Sequence, residues 1–173
     1  MLVGNAALYG ATGGRVFIAG RAGERFAVRN SGATAVVEGA GDHACEYMTG
    51  GVVVMLGPVG QNFGSGMTGG VAYVCDRKRA LAARINPQQL SVEALTASDQ
   101  RVLRQLLELH EQLTGSRLAR TILRRDRAFT TFKRVVSLAA PAMASEVPLA
   151  AQEIAAVPPE GAEVEPQAQA AYA

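Results

Sequence analysis

Short apolar runs alternate with glycine-rich polar stretches over the first half of the chain. Arg15-Val16-Phe17-Ile18-Ala19, Ala33-Thr34-Ala35-Val36-Val37, Val52-Val53-Val54-Met55-Leu56 and Val71-Ala72-Tyr73-Val74-Cys75 hold five residues each. Five residues is the length of a strand and too short for a helix. A glycine pair or Ser-Gly precedes each run, at Gly13-Gly14, Ser31-Gly32, Gly50-Gly51 and Gly69-Gly70. The second glycines, at 14, 32, 51 and 70, are spaced by 18, 19 and 19 residues, and most runs then break at Gly20, Gly39 or Gly57. The pattern is a repeat of about 19 residues.

Each repeat holds one apolar strand and a second, weaker extended stretch, at Arg25–Arg29, His43–Met48 and Gln61–Gly64. A hairpin would want a two-residue turn and clean alternation. These runs are apolar on both faces, as buried parallel strands are. Parallel strands in a short repeat with glycine turns predict an all-β solenoid, or β-helix, with coils stacked about 4.8 Å apart. Gly14, Gly32, Gly51 and Gly70, with Gly20, Gly39 and Gly57, are the expected coil corners, where positive φ or a close neighbouring coil excludes a Cβ. Aligned on the second glycines, Ile18, Val36, Met55 and Val74 form one interior column, and Val16, Thr34, Val53 and Ala72 another. The columns Phe17/Ala35/Val54/Tyr73 and Ala19/Val37/Leu56/Cys75 then face outward. They are apolar too, so the following helices or another domain must cover them.

The character changes after Cys75. Asp76-Arg77-Lys78-Arg79 is a polar exit, Asn86-Pro87 a turn, and Leu90–Leu95 a candidate short strand. Thr96, Ser98 and Asp99 offer helix N-cap chemistry. Val102, Leu103, Leu106, Leu107, Leu109, His110 and Leu113 then mark an apolar stripe with helical spacing over Asp99–Thr114. Gly115 is the expected C-cap. Ser116 caps a second predicted helix through Arg125, and Phe129, Phe132, Val135 and Val136 form an apolar endpiece. The predicted organisation is a β-solenoid domain over residues 1–97, a helical segment over 98–136 that packs on the solenoid or a neighbouring domain, and a disordered Ala/Pro-rich acidic tail over 137–173.

Composition sharpens this reading. The chain has 173 residues and 19 glycines, 17 of them between Gly4 and Gly70. That density excludes a helical bundle there, since each helix-interior glycine costs about 1 kcal/mol relative to alanine. The absence of a three-residue glycine period excludes collagen. The net charge of +2 hides a split: residues 137–173 carry five glutamates and no Lys or Arg, which leaves +7 on residues 1–136. That excess lacks the density of a nucleic-acid patch. Two cysteines, Cys45 and Cys75, suit a reducing compartment or one bridge equally well. No signal-peptide pattern opens the chain, and no run of 18 apolar residues spans a membrane.

Candidate chemistry is sparse. Gly64-Ser65-Gly66-Met67-Thr68-Gly69 fits G-x-G-x-x-G, but a dinucleotide site needs a strand before and a helix after. Here a strand follows, so a solenoid corner is expected. Asp42, His43, Cys45 and Glu46 form the only ligand-rich cluster, with His43 and Cys45 on one face if the stretch alternates. A zinc site needs more ligands than that, and no iron–sulfur cysteine spacing exists. Arg21, Arg25 and Arg29 read as an ion-pair ladder with Glu24 and Glu38, or as an interdomain contact. Arg117, Arg120, Arg124, Arg125 and Arg127 read as a solvated or docking face, and His110 as a core-edge histidine. No catalytic, cofactor-binding or metal-binding residue is expected.

Long literal strings carry a resemblance. Gly4-Asn5-Ala6-Ala7-Leu8-Tyr9-Gly10-Ala11-Thr12-Gly13-Gly14, Gly20 through Gly32, Cys45-Glu46-Tyr47-Met48-Thr49-Gly50-Gly51 and Asn62 through Gly70 resemble the C-terminal glycine-repeat (GXGXG) domain of the glutamate synthase large subunit. Leu113-Thr114-Gly115-Ser116 is similar to the link between that family's final helices. The resemblance covers roughly residues 3–136. It implies a right-handed β-helix with a structural role, packed against an amidotransferase domain and a flavin-bearing synthase domain. The family enzyme makes two glutamates from glutamine and 2-oxoglutarate, with electrons from ferredoxin or from NADPH through a small subunit. FMN and an iron–sulfur cluster are expected on those other domains and none in this chain. The catalytic domains are absent from the sequence, and the tail after Val136 does not look like the family's ending. The expectation is a noncatalytic, cytoplasmic scaffold domain of an oxidoreductase serving nitrogen assimilation. The alternative is a stand-alone β-helix scaffold or oligomerisation module with no enzyme attached.

Overall fold

A computed structural model describes residues 2–125 and 127–139. Four parallel strands, β1 (Arg15–Ile18), β2 (Thr34–Val37), β3 (Thr49–Met55) and β4 (Gly69–Cys75), lie side by side in chain order, one from each coil of a β-solenoid. Strand β5 (Leu90–Glu93), helices α1 (Ala97–Thr114) and α2 (Arg117–Leu123) and strand β6 (Phe132–Ser137) follow. Strand β6 runs antiparallel between β4 and β5, so the sheet order is β1-β2-β3-β4-β6-β5. The apolar endpiece at 129–136 therefore supplies a strand, and Ser137, assigned to the tail in the sequence reading, is its buried last residue. Residues 140–173 of the predicted tail lie outside the described residues.

Strand pairing corrects one coil of the predicted register. Val16, Ala35, Val53 and Ala72 share a column, as do Phe17, Val36, Val54 and Tyr73, and Ile18, Val37, Met55 and Val74. The first and third columns point into the solenoid, so Ala35 and Val37 are inside where Thr34 and Val36 were expected. The error came from aligning Gly32 with Gly14. The residue opposite the start of the other strands is Ala33, because β2 pairs 19 residues on from β1 but 18 before β3. A one-residue slip moves every side chain of a strand to the opposite face.

The second stretch of each coil is an arc and not a strand. Positive φ recurs at three alternate positions: Ala6, Leu8 and Gly10; Arg25, Ala27 and Arg29; His43, Cys45 and Tyr47; Asn62, Gly64 and Gly66. Alternate amides point to opposite neighbours. Arg25 N and Arg29 N donate to Asp42 O and Glu46 O of the next coil, both at 2.8 Å, while Ala27 N donates back to Ala7 O at 2.9 Å. The inter-coil ladder satisfies the backbone as a sheet would, while the left-handed residues curve the chain. Each non-glycine residue held there costs roughly 1–2 kcal/mol, which stacking on both sides must offset.

Two apolar layers result. Inside the solenoid, Phe26, Phe63, Met48, Met55, Met67 and Cys45 are fully or almost fully buried. On the outer face of the sheet, Val36, Val54 and Tyr73 pack against Val102, Leu103, Leu106 and Leu107 of α1 and Ile122 of α2. The apolar outer columns are thus covered by the chain's own helices. Helix α1 starts in a capping box, with Thr96 Oγ1 accepting from Asp99 N at 3.1 Å, and ends at Gly115 with φ +68°.

Candidate functional site

The polar chemistry of the molecule gathers where the helices meet the coils. At one end of this joint, Tyr73 of β4 donates its hydroxyl to Asp99 Oδ1 at 2.7 Å. Asp99 Oδ2 accepts from Thr96 N at 2.8 Å and Thr96 Oγ1 at 2.7 Å, so one carboxylate caps α1 and ties it to the sheet. Arg134 of β6 lies 3.5 Å from Asp99 Oδ1 and pairs with Glu93 at 2.6 Å. Burial pushes the Tyr73 phenol well above its ordinary range, and the carboxylate beside it adds to the shift, so the hydroxyl remains a donor.

At the other end, Glu38, just past β2, accepts a hydrogen bond from Ser116 Oγ. The same hydroxyl accepts from Ala119 N at 3.0 Å, so Ser116 caps α2 while binding the coil. His110 Nε2 is 3.9 Å from Glu38 Oε1, its ring is fully buried, and it stacks against Phe17 with centroids 6.1 Å apart. Burial lowers the His110 pKa and Glu38 opposes that pull, leaving the imidazole neutral near pH 7. The Ser116 hydroxyl is spent on Glu38 and the helix cap, so this trio joins elements and does not form a serine–histidine pair.

A groove of about 450 Å³ opens beside this second tie. Its floor is apolar, from Leu56, Leu81 and Leu118, and its rim carries Arg77, Lys78 and Arg84.

The residues singled out in the sequence are dispersed. The Gly64–Gly69 segment is a corner followed by β4, and its amides are already engaged: Gly64 N with Ala44 O, Ser65 N with Asn62 O, Gly66 N with Gln89 Oε1 and Gly69 N with Met48 O. No amide nest remains there for a phosphate. His43 and Cys45 do not form a ligand pair. His43 Nδ1 contacts Glu46 Oε1 at 3.2 Å at the surface, whereas the Cys45 thiol points into the core, where burial raises its pKa strongly. Two buried cysteines in different layers do not fit an iron–sulfur cluster. Among the described residues, no group of three or more His, Cys, Asp or Glu could hold a metal ion.

Arg21, Arg25 and Arg29 are exposed and make no ion pair among the described residues. Glu38, expected as a partner, turns to the helices, and Arg29 lies over the Tyr9 ring at 5.9 Å. The five arginines from Arg117 to Arg127 are exposed, with Arg120 paired to Glu111 at 2.6 Å.

Close packing of the coils explains the glycines. A Cβ at Gly32 would lie 2.2 Å from Thr12 O, at Gly50 2.2 Å from Ser31 O, and at Gly69 2.4 Å from Thr49 O. Gly14, Gly51 and Gly70 form the adjacent column, with φ between +78° and +85°. A Cβ at Gly57 would lie 2.3 Å from Glu38 O, at Gly39 2.9 Å from Pro58 O, and at Gly20 2.8 Å from the Leu2 side chain. The GXGXG motif profile matches residues 1–138. This chain belongs to the GXGXG family.

The GXGXG match extends to long relatives. The chain is 55% identical over 124 residues to ferredoxin-dependent glutamate synthase 2 of Synechocystis, a match spanning 71% of this chain and 8% of the relative. It is 51% identical over 138 residues to the NADH glutamate synthase of Schizosaccharomyces pombe, spanning 79% of this chain and 6% of the relative. It is 54% identical over 124 residues to the chloroplastic ferredoxin-dependent glutamate synthase of spinach, spanning 71% of this chain and 8% of the relative. The GXGXG chain thus covers less than a tenth of each relative's length. No helix among its described residues is long and apolar enough to cross a membrane.

The Tyr73–Asp99 and Glu38–Ser116 ties were not foreseen. Asp99 and Ser116 were legible as caps, but their second partners lie 26 and 78 residues away. An isolated Glu after a strand and a lone Tyr within one were the available signals.

Proposed function

We propose that this chain is the structural β-solenoid domain of a glutamate synthase, and that it holds the amidotransferase and FMN-binding synthase domains in register without itself carrying catalytic groups. One observation supports this most directly. Gly4 and Gly13 stand in the same columns as the packed glycines of later coils, yet a Cβ at either would meet nothing within 4 Å. Neither has positive φ. Nothing within coil 1 calls for glycine at these positions. A further coil stacked on it would, as coil 1 requires Gly32. The open face of coil 1 is therefore read as the surface that continues into the rest of the synthase.

In this reading the partners are the amidotransferase and synthase domains, with the small NADPH-oxidising subunit where the reductant is NADPH. FMN and the iron–sulfur cluster belong to those domains, and the role is in cytoplasmic nitrogen assimilation. The stiffness of a stacked solenoid suits ammonia transfer between two active sites, which needs fixed interdomain geometry.

The test mixes the purified chain with a glutamate synthase large subunit lacking its own GXGXG segment. Expected are a stable complex, recovered glutamine-dependent glutamate formation, and no flavin absorbance in the chain alone. Gly13→Val should abolish the complex while the isolated chain melts as before. Stoichiometric flavin in the chain alone, or a Gly13→Val chain that still restores activity, would overturn the reading.

A further inference from the structure

We propose that the groove beside α2 is a binding site for a small aliphatic carboxylate, with its chain on the apolar floor and its head at the cationic rim. The groove lies at the carboxyl ends of β3 and β4. Leu56 directly follows β3, Leu81 comes from the short turn after β4, and Leu118 supplies the wall from α2. Leu56 and Leu81 are each only 2% exposed, so packing already holds the floor in place. The volume of about 450 Å³ falls within the roughly 300–1,000 Å³ of small-molecule sites. Among the described residues, none of the exposed large apolar side chains, Leu2, Tyr9, Tyr47, Val92, Leu113 and Leu138, lines it. The apolar surface is therefore confined to the concavity. A docking face for a folded partner would carry apolar side chains out onto the surrounding surface.

The charges set the sign of the ligand. Arg77, Lys78 and Arg84 make no ion pair among the described residues. Glu38 and Asp76 also line the groove, but both are held within the fold. Glu38 accepts from Ser116 Oγ, and Asp76 Oδ1 accepts from Ala80 N at 2.8 Å and Leu81 N at 3.2 Å. Three cations against two carboxylates leave one positive charge, which matches a monoanion. A guanidinium offers a carboxylate two parallel N–H donors, and Lys78 adds a point charge beside them. The aliphatic chain leaves water for the surface made by Leu56, Leu81 and Leu118. A ligand so placed touches α2 and the coil ends together.

The test titrates the full-length chain, 13C-labelled at Leu and Val methyls, with decanoate well below its micelle concentration. Expected are saturable shifts of the Leu118, Leu81 and Val59 methyls, with a midpoint on the order of 1 mM. The methyls of Leu113 and Val92, exposed elsewhere on the surface, should not move. Decanol, which keeps the chain, and acetate, which keeps the head, should each bind at least about fivefold more weakly. The double variant Arg77→Gln, Arg84→Gln, checked for an unchanged melt, should weaken decanoate by about fivefold and leave decanol unchanged. If the variant fails to fold, the comparison of decanoate with decanol on the native chain decides. Equal affinity for decanoate and decanol, a folded double variant that binds decanoate as before, shifts at Leu113 and Val92 as large as at Leu118, or no shift at all would each overturn the proposal. Shifts with a peptide of alternating glutamate and leucine, but none with decanoate, would assign the groove to a polypeptide and overturn it too.

Discussion

Coil 1 and coil 3 share the string Thr-Gly-Gly ahead of an apolar strand, at Thr12-Gly13-Gly14 and Thr49-Gly50-Gly51, but their glycines have opposite surroundings. A Cβ on Gly50 would sit 2.2 Å from Ser31 O, whereas one on Gly13 would meet nothing within 4 Å. Neither Gly13 nor Gly50 has positive φ, while Gly14 and Gly51 have φ of +85° and +81°. The comparison separates two reasons for glycine that a sequence cannot distinguish. One is the residue's own backbone, and the other is a neighbouring coil that leaves no room.

Alanine substitution breaks this comparison into parts. Gly50→Ala must push two stacked coils apart against backbone atoms, and a loss of about 3–5 kcal/mol, or failure to fold, is expected. Gly14→Ala meets open space but pays the left-handed conformation, about 1–2 kcal/mol. Gly13→Ala pays neither and lowers the entropy of the unfolded chain, so stability should be unchanged or higher by up to about 1 kcal/mol. Urea midpoints at constant m-value measure all three. Equal effects at Gly13 and Gly50 would show that the glycine requirement is local, and the reading of coil 1 as an open stacking face would fall with it.

The helix–coil joint offers a second contrast, between a tie that is charged and one that depends on a neutral histidine. Asp99→Ala removes the α1 cap and leaves the Tyr73 hydroxyl buried without its acceptor, for an expected loss of about 2–3 kcal/mol. Tyr73→Phe removes only the donor and should cost about 1 kcal/mol. At the other tie, burial holds the His110 pKa below its unfolded value of 6.5. The unfolded state therefore binds the proton first. The contribution of His110 to stability is complete above about pH 6.5 and is lost as pH falls through the lowered folded value. Glu38, the carboxylate facing His110, limits that loss. A His110→Phe chain should show a shallower fall in melting temperature between pH 7 and pH 5 than the parent chain, and an unchanged slope would remove His110 from the joint's pH response.

The parts of the fold that the sequence revealed are those carried by spacing. The four strands, the 19-residue period and the caps at Thr96, Gly115 and Ser116 each follow from a local pattern. The register of coil 2 was missed because Ala33 replaces a glycine, so a repeat anchored on glycines slipped by one there. Strand β6 was missed because Phe132-Lys133-Arg134-Val135-Val136 has a half-apolar pattern that only pairing to β4 turns into a strand. The joint was missed because its contacts span 26 to 78 residues, a separation at which periodicity carries no information.

The arcs, whose left-handed residues no propensity rule anticipates, yield the smallest of the predicted effects. Arg25, Ala27 and Arg29 in coil 2 occupy the same positions as Asn62, Gly64 and Gly66 in coil 4, so one coil meets with side chains the strain that another meets largely with glycine. At Arg25, φ is +59° and the side chain is exposed with no ion pair. Arg25→Gly relieves a left-handed residue, worth about 1–2 kcal/mol. It also frees the unfolded chain, which takes back roughly 0.5–1 kcal/mol. The net should be a gain of about 0.5 kcal/mol in the urea midpoint. Ala27→Gly, at the buried position between the two arginines, should gain less, because it also gives up a buried methyl in the inner core. If both substitutions destabilise, the arcs are not strained and the stacking of coils has no conformational cost to offset.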